Sequence, residues 1–278
     1  MTGFGWYNPS MAKTLVTHIN PHLDDILGIW LFRKFNPQFK DANLEFISAS
    51  REAASDESDE KVYIGTGGGQ FDEHKEGLET CAGTLVFEYL NQEKVLPQDQ
   101  ISQKALEKLI QWNQLIDTGK APESQFDEFS IQSFIRMKDN LPDSSKRAVE
   151  LGEEILNRIL QVLKKKEQAI LDWEKREEFE SKFGKGYAVT SEVINREFCR
   201  EQDGDIYLMY TPKYNSVQYF APSKDIKEIY EKVSKQDPEA SWFLHQSHHM
   251  VLCGSSSAPD SKPTKLTFEQ LIEIVKTA

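Results

Sequence analysis

The first part of the chain alternates short apolar runs with longer segments whose apolar residues recur at helical spacing. A β-branched run ends just before His18, and the apolar segment that follows predicts a helix buried on several sides and ended by Asn36-Pro37. The predicted strands are Lys13–Thr17, Leu44–Ala49 and Lys61–Ile64, and the predicted helices are Ile26–Phe32, Thr80–Leu90 and Ile101–Asp117. This order of elements predicts an α/β domain with a mostly parallel sheet.

A long charged helix and a second set of strands follow. Apolar residues repeat at helical spacing after Ser144, which predicts a helix that runs to Phe183 and is capped by Gly184. Such a helix is a natural connector between two domains, with a coiled-coil arm as the alternative. The elements predicted beyond it are strands Asp205–Tyr210, Ser216–Phe220 and Met250–Cys253, a helix at Lys224–Val233 and a last helix opened by a capping box at Thr267–Gln270. We therefore predict an α/β fold with an N-terminal domain at 1–140, a connector helix at 141–184 and a smaller C-terminal α/β domain at 185–278.

Composition narrows the class of protein. With 38% hydrophobic and 28% charged residues among 278, the chain has the profile of a folded globular protein. Its apolar runs are too short to span a bilayer, and its N-terminus lacks the basic and apolar order of a secretion signal, so we expect a cytoplasmic protein without a membrane partner. Cys81, Cys199 and Cys253 form no C-x-x-C pair, which favours buried thiols over disulfides or a structural zinc site.

The net charge limits the partner. A formal charge of −12 and a longest basic run of only Lys164–Lys166 argue against binding of a long DNA duplex, which normally requires a basic surface. If the substrate is a phosphate ester, a bound metal ion must supply most of the local positive charge, which favours a short or small ligand. The oligomeric state stays open, with a homodimer as one alternative.

Histidine and aspartate follow the predicted strands at two places. His18, His22 and Asp24 come directly after the first strand, whereas Asp72 and His74 follow a glycine turn after a later strand. Ligands of open α/β sheets bind beyond the carboxyl ends of the strands, so we expect these side chains to share one crevice. At the end of a helix, Asp117 precedes Gly119, which permits a turn that brings the carboxylate inward. The predicted metal ligands are His18, His22, Asp24, Asp72, His74 and Asp117, and the predicted catalytic residues are His22, Asp24, Asp72 and His74.

Imidazole and carboxylate together favour a transition ion. We expect Mn²⁺, with Mg²⁺ or another transition ion as alternatives, and one or two ions per chain. Two ions about 3.5–4 Å apart can clamp the attacking and leaving oxygens of a phosphoryl transfer and activate water near neutral pH. A lone histidine after a strand is more often structural, but two histidines beside Asp24 favour a metal site. The run Gly67–Gly69 lacks the Lys-Ser/Thr of a phosphate cradle, which favours a tight hairpin.

The other histidines lie near the C-terminus. His245, His248 and His249 stand between Trp242 and the predicted strand Met250–Cys253. An imidazole opposite a metal can bind a phosphoryl oxygen or protonate a leaving alkoxide, because its pKa lies near neutral pH. The alternative is an exposed histidine pair after a buried tryptophan.

These residues resemble the motifs of the DHH phosphoesterase superfamily, in the segments His18-x-x-x-His22-x-Asp24, Asp72-Glu73-His74 and Asp117-Thr118-Gly119. Within it, the segments Thr17–Asp25, Cys81–Phe87 and Phe243–Ser247 resemble the MYG-type exonuclease branch. The resemblance implies a DHH-like N-terminal domain and a metal-dependent hydrolase, a nuclease that removes nucleotides from RNA in the 3′–5′ direction. The acidic composition favours a short RNA or oligonucleotide. The resemblance also implies that His245, Ser247 and His248 of the C-terminal domain bind the substrate.

Two positions depart from the superfamily's pattern. Glu73 stands where its name motif has the first histidine, and Tyr63–Thr66 occupies a region where it carries an aspartate that often bridges two metals. Asp25 or Glu73 could take the place of that carboxylate. The departures leave two alternatives open. One is a degenerate protein that binds a nucleotide or metal without turnover, and the other is a hydrolase of pyrophosphate or another small phosphate ester.

Overall fold

The computed structural model describes residues 13–49, 52, 54–75, 77, 79–135, 143–255 and 257–278. The chain forms two compact units, one that extends to Lys164 and one that begins at Lys165. The division falls inside the helix Ser144–Trp173. The predicted boundary between 140 and 141 lies outside the described residues. Both units combine helices with a β-sheet, so the predicted α/β class is confirmed.

The first unit is built on a parallel sheet of three strands. Its elements are β1 (Thr14–His18), α1 (Leu23–Phe35), β2 (Asn43–Ile47), β3 (Lys61–Tyr63), α2 (Ala82–Gln92), α3 (Gln100–Asp117), α4 (Ile131–Ile135) and the first part of α5 (Ser144–Trp173). The strand order is β2-β1-β3, and β1 pairs in parallel with both neighbours. Residues that follow β1 and β3 therefore emerge at the same edge of the sheet.

Helix α1 lies at the centre of the first core. Leu23–Phe32 are all buried, as the apolar run predicted. Gly28 permits a close approach to the residue that follows β3, because an added Cβ would lie 2.8 Å from Cγ2 of Ile64. Trp30 donates from Nε1 to Oδ1 of Asn157 on α5, at 3.1 Å. These contacts fix the first turn of α1 next to the carboxyl ends of the strands.

The second unit contains a six-stranded mixed sheet. Its further elements are β4 (Glu177–Ser181), β5 (Gly184–Thr190), α6 (Arg196–Arg200), β6 (Ile206–Thr211), β7 (Ser216–Phe220), α7 (Lys227–Gln236), β8 (Trp242–Leu244), β9 (Met250–Cys253) and α8 (Phe268–Thr277). In the order β4-β5-β6-β7-β9-β8, only β5 and β6 pair in parallel among these described strands. Apolar residues of α7 and α8 pack with one set of strand residues, and those of α6 and the end of α5 pack with another. The predicted capping box opens α8.

The predicted extension of the connector helix to Phe183 is wrong. Helix α5 ends at Trp173, and the next segment forms β4, which turns back into β5 at Gly184. The closely spaced charges of this segment are typical of a solvated helix face, but in β4 they flank the buried ring of Phe179. That ring packs where a side chain at Gly186 would lie, which holds the hairpin together.

The run Gly67–Gly69 does not form the predicted tight hairpin. The bridge between Ile64 and Phe71 is parallel, so the chain does not return antiparallel to β3. Instead, the loop closes around Asp72, whose Oδ2 accepts the Gly68 N–H at 2.7 Å. The physical reason is the buried carboxylate, which needs backbone donors that a two-residue hairpin would not supply.

The cysteines and the apolar helices bear on two further expectations. All three cysteines are buried thiols, as predicted. In the part of the chain that the structure describes, no helix combines the length and apolarity needed to cross a membrane.

Candidate metal centre

The candidate site lies at the carboxyl edge of the three-stranded sheet. His18 is the last residue of β1, and His22 is the N-cap of α1. Asp24 and Asp25 follow in the first turn of α1, where the positive end of the helix dipole favours carboxylates. These four residues lie close together because the short polar segment after β1 leads directly into the buried helix α1.

The first group of side chains is His18, His22 and Asp25. Their ligand atoms lie within 4.8 Å of one another. Oδ2 of Asp25 lies 2.9 Å from Nε2 of His18 and accepts the backbone N–H of His22 at 2.7 Å. Nδ1 of His18 lies 2.9 Å from the carbonyl oxygen of Ile19, which orients the ring. This second contact is typical of metal-ligating histidines.

A second group joins His22 to Asp24 and Asp117, again with ligand atoms within 4.8 Å of one another. Asp24 is buried, and its Oδ2 accepts the Ala82 N–H at 3.4 Å. Asp117 ends α3, and Gly119 follows at φ +69°, as the predicted turn required. The three residues come from two helices that are distant in sequence.

The third group is Asp72, Glu73 and His74, whose ligand atoms satisfy the same 4.8 Å criterion. Oδ1 of Asp72 accepts the His74 backbone N–H at 3.0 Å and also lies 3.0 Å from Nδ1 of that ring. Nδ1 of His74 lies 3.3 Å from Oε1 of Glu73. The loop after β3 therefore presents two carboxylates and one imidazole together.

Three acids of the centre are shifted towards their neutral forms. Burial, with repulsion from Asp25 and Asp117, raises the pKa of Asp24 well above its usual range. Burial also raises the pKa of Glu73 to about 7, and repulsion from Asp25 adds to it. The pKa of Asp117 is raised as well, first by burial and then by repulsion from Asp25. Carboxylates crowded in this way repel one another unless a cation lies among them.

Two other groups are held in their charged forms. The hydrogen bond to Asp25 raises the pKa of His18 to about 9, against the opposing effect of burial. Burial opposes ionisation of Asp72, but hydrogen bonds from Gly68 and His74 lower its pKa overall. A proton on His18 therefore occupies the place that a metal cation would take beside Asp25.

The charge of the centre is not balanced by basic side chains. Among the described residues, no Lys or Arg forms an ion pair with Asp24, Asp25, Asp72, Glu73 or Asp117. Asp25 pairs with His18, and Asp72 and Glu73 pair with His74. Oε2 of Glu73 is buried and accepts no hydrogen bond from any described residue. Buried carboxylate oxygens normally have a partner. This mixed nitrogen and oxygen donor set fits a divalent transition ion such as Mn²⁺.

A buried hydrogen bond between Cys81 and Asn113 lies next to the segments that carry the acids of the centre. The Sγ–H of Cys81 donates to Oδ1 of Asn113 at 3.2 Å, and Sγ lies 3.3 Å from Oγ1 of Thr84. Asn113 lies one helical turn before Asp117 on α3, and Cys81 directly precedes Ala82, which donates to Asp24. The pair thus links the two segments that position these acids.

All six predicted ligands take part in the three groups. Two further members, Asp25 and Glu73, were outside the predicted ligand set, although both were named as possible replacements for the missing bridging carboxylate. The sequence signal was their position directly beside Asp24 and Asp72. That signal is weak, because neighbouring residues on a helix or in a loop often point in different directions.

The predicted substrate-binding residues lie in the second unit, in the turn between β8 and β9. Nδ1 of His245 lies 2.9 Å from Oγ of Ser247. His248 has a left-handed backbone, φ 58°, and its Nδ1 lies 3.0 Å from Oδ2 of Asp225. His245 and Ser247 are exposed, so both are accessible from solvent. Their role as substrate contacts stays a prediction.

Comparison with known proteins adds no assignment. No family model matches the chain, and no curated protein matches it significantly. The resemblance to the DHH superfamily therefore stays a prediction from the motifs.

Proposed function

We propose that the chain is a metal-dependent phosphoesterase. Its substrate would be a short RNA or another oligonucleotide, shortened from the 3′ end by hydrolysis of phosphodiester bonds. The ion would be Mn²⁺ or a similar transition ion. We propose in addition that the chain is a member of the DHH superfamily, on the basis of the motifs alone.

One observation carries it. Three imidazoles and five carboxylates lie in three overlapping or adjacent groups at the carboxyl edge of a parallel sheet. No described Lys or Arg forms an ion pair with those carboxylates. Structural acids are normally paired or exposed, so a set of this kind supports a cation site with a chemical role.

The residues divide the work as follows. His18, His22, Asp24, Asp72 and Asp117 would hold one or two cations, with Glu73 next to Asp72. When bound, a divalent cation supplies Lewis-acid polarisation of a phosphoryl oxygen and lowers the pKa of water. His74 is exposed, and a proton on Nδ1 directed at Asp72 would leave the lone pair of Nε2 to coordinate the cation. We assign His245, Ser247 and His248 to the phosphate and sugar of the substrate.

Charge favours a small anionic substrate. With a net charge of −12, the surface repels long polyanions, and a local cation is needed to attract a phosphate. A short oligonucleotide carries few phosphates and so meets less of this repulsion.

The test is release of nucleotides from end-labelled RNA of four to six residues, with the matching DNA and pyrophosphate in parallel, in the presence of Mn²⁺. We expect mononucleotide release by the unmodified protein and a loss of about a hundredfold or more in His22→Ala, roughly the cost of removing a ligand-level interaction with the transition state. Asp41→Asn, an exposed acid outside the centre, serves as the matched control and should retain full activity.

Unchanged hydrolysis in His22→Ala would contradict the proposal. Phosphate release from pyrophosphate alone would favour the small-molecule hydrolase, and Mn²⁺ binding without release from any of the three substrates would favour the degenerate binding protein.

A further inference from the structure

Three phenylalanine rings are exposed on one short segment of the first unit. Phe126, Phe129 and Phe134 are 65%, 80% and 63% exposed. Because a covered aromatic ring buries about 150–250 Å², the three rings together leave about 400 Å² of apolar surface in contact with water. Apolar surface of that extent on a folded protein often marks an interaction site. We call residues 126–134 the aromatic segment.

The aromatic segment is held in place by its own hydrogen bonds and by its link to the core. The N–H of Phe129 donates to the carbonyl oxygen of Phe126 at 3.0 Å, and Oγ of Ser133 donates to the carbonyl oxygen of Asp127 at 2.9 Å. The next residue, Ile135, is buried in the first core. The ring centroids of Phe126 and Phe129 lie 6.4 Å apart. Two rings are therefore presented side by side outside the core, on backbone that is fixed.

A groove begins at the end of the aromatic segment. It has a volume of about 350 Å³, and the apolar residues that line it come from α4 and the first turns of α5, namely Phe134, Ile135, Ala148 and Leu151. An apolar cavity of roughly 150 Å³ is enough to hold a benzene molecule, so a phenyl ring fits this groove. Since Phe134 belongs to both features, exposed rings and a space that can accept a ring lie next to each other on one unit.

The charges of the two features are complementary. The aromatic segment carries Asp127 and Glu128. Arg147 lines the groove, and the acids that line it pair with basic residues of the same helix, in the pairs Lys146–Glu150 and Arg158–Glu154. The groove therefore favours an acidic occupant with an aromatic ring, which is what the aromatic segment offers. Its acids also argue against nucleic acid or an anionic lipid surface as the partner of the segment.

We propose that the aromatic segment is the contact surface for a second copy of this chain, with Phe129 of each copy seated in the groove of the other. A two-fold dimer requires a surface and its complement on the same subunit. The exposed rings supply about 400 Å² of apolar area per copy, close to the roughly 450 Å² that each partner contributes to a standard interface. The proposal uses no residue of the candidate metal centre and does not depend on the proposed function.

Sedimentation equilibrium of the unmodified chain and three variants tests the proposal. We expect the unmodified chain to form a dimer. Phe129→Ala should raise the dissociation constant of the dimer by at least about thirtyfold, because a hot-spot ring contributes that much and each dimer contains two. Leu151→Glu, which places a charge in the groove, should have a similar effect. Phe243→Ala removes a ring of the second unit that is 53% exposed, and as the matched control it should leave the constant unchanged.

A photochemical cross-link identifies what occupies the groove. Substitution of Phe129 by p-benzoylphenylalanine keeps an aromatic ring at this position and makes it reactive on illumination. When this variant is mixed with an isotope-labelled unmodified chain, we expect cross-links to residues 144–154 of the labelled copy. The measurement does not rely on any groove variant, and thermal melting checks that each variant folds.

A monomer at every measurable concentration would overturn the inference, and so would a dimer that Phe129→Ala leaves unchanged. Cross-links to the labelled copy that lie only outside the groove would also overturn it. A monomer whose Phe129→Ala variant binds short RNA more weakly would assign the aromatic segment to nucleic acid instead.

Discussion

A buried acid of the second unit and a buried acid of the candidate metal centre differ in their partners. In the second unit, buried Asp237 accepts hydrogen bonds from Oγ1 of Thr264 at 2.8 Å and from the Lys265 N–H at 2.7 Å, and these lower its pKa. In the first unit, Asp24 is just as inaccessible, but burial and two neighbouring acids raise its pKa. A buried acid with a structural role, such as Asp237, thus has hydrogen-bond donors in this protein.

Unsatisfied, mutually repelling acids distinguish the candidate metal centre from acids with a structural role. Exposed Asp203 shows the same rule as Asp237, since hydrogen bonds from Lys185 and Tyr187 lower its pKa to about 2. The acids of the candidate metal centre, in contrast, have mainly one another and histidines as neighbours. Such an arrangement costs stability in the metal-free protein, and a divalent cation would remove that cost.

Asp24→Asn and Asp237→Asn should have opposite effects on stability and on hydrolysis. Because burial already favours the neutral form of Asp24, we expect Asp24→Asn to melt at the same temperature as the unmodified metal-free protein or higher. Its Mn²⁺-dependent hydrolysis should fall about a hundredfold or more. For Asp237→Asn we expect a loss of about 1–3 kcal/mol in the free energy of unfolding. Its activity per folded molecule should not change.

Calorimetric melting and initial hydrolysis rates measure both variants. A destabilised Asp24→Asn with full activity would show that Asp24 is another structural acid, and the contrast between the units would then disappear.

Glu73→Gln tests whether the buried Oε2 of Glu73 contributes to Mn²⁺ affinity. Since the buried Oε2 has no hydrogen-bond donor among the described residues, we expect its loss of charge to raise the dissociation constant for Mn²⁺ by about 10–100-fold. The metal-free variant should be at least as stable at pH 8, because one repelling charge is gone. Glu239→Gln, which alters an exposed acid paired with Lys265, is the control and should change neither quantity. Unaltered Mn²⁺ affinity in Glu73→Gln would place that side chain outside the centre.

The pH dependence of stability should separate the two kinds of acid. The folded pKa values of Glu73, about 7, and His18, about 9, lie above their ordinary values of 4.5 and 6.5. The folded metal-free protein therefore binds more protons than the unfolded chain between about pH 4.5 and 9, and its free energy of unfolding falls as the pH rises. Asp203 contributes no slope in this window, because it is ionised in both states.

Saturating Mn²⁺ should reverse that slope, since a metal competes with protons for the same ligands. Melting temperatures from pH 5 to pH 9, with chelator and with Mn²⁺, measure the effect. The same melting profile in both series would contradict it.

The sequence predicted the first unit better than the second. The parallel sheet and the buried helix α1 follow from strong local patterns, and the six predicted ligands all take part in the three groups. Strand β4 could not be predicted, because Glu177, Glu178 and Glu180 surround Phe179 in a pattern that a helix face also shows. The strand forms instead of a helix because the segment pairs with β5, where Gly186 leaves space for the ring of Phe179.

The residues of the three groups were predicted incompletely for a related reason. Asp25 owes its position to Gly65, 40 positions further along the chain, because a Cβ there would overlap with Oδ1 of Asp25. Local spacing does not reveal such a contact. Similarly, the loop around Asp72 depends on which backbone N–H groups reach that carboxylate. Long-range contacts of this kind decide which acid turns inward.

The buried thiol of Cys81 can report on opening of the candidate metal centre. Burial raises its pKa to about 12, so alkylation requires the first turn of α2 to open. That opening would also break the contact between Ala82 and Asp24. A thiol reagent should therefore label Cys81 at a rate that reports how often the centre is transiently exposed. Labelling of Cys199 and Cys253 in the other unit serves as the reference.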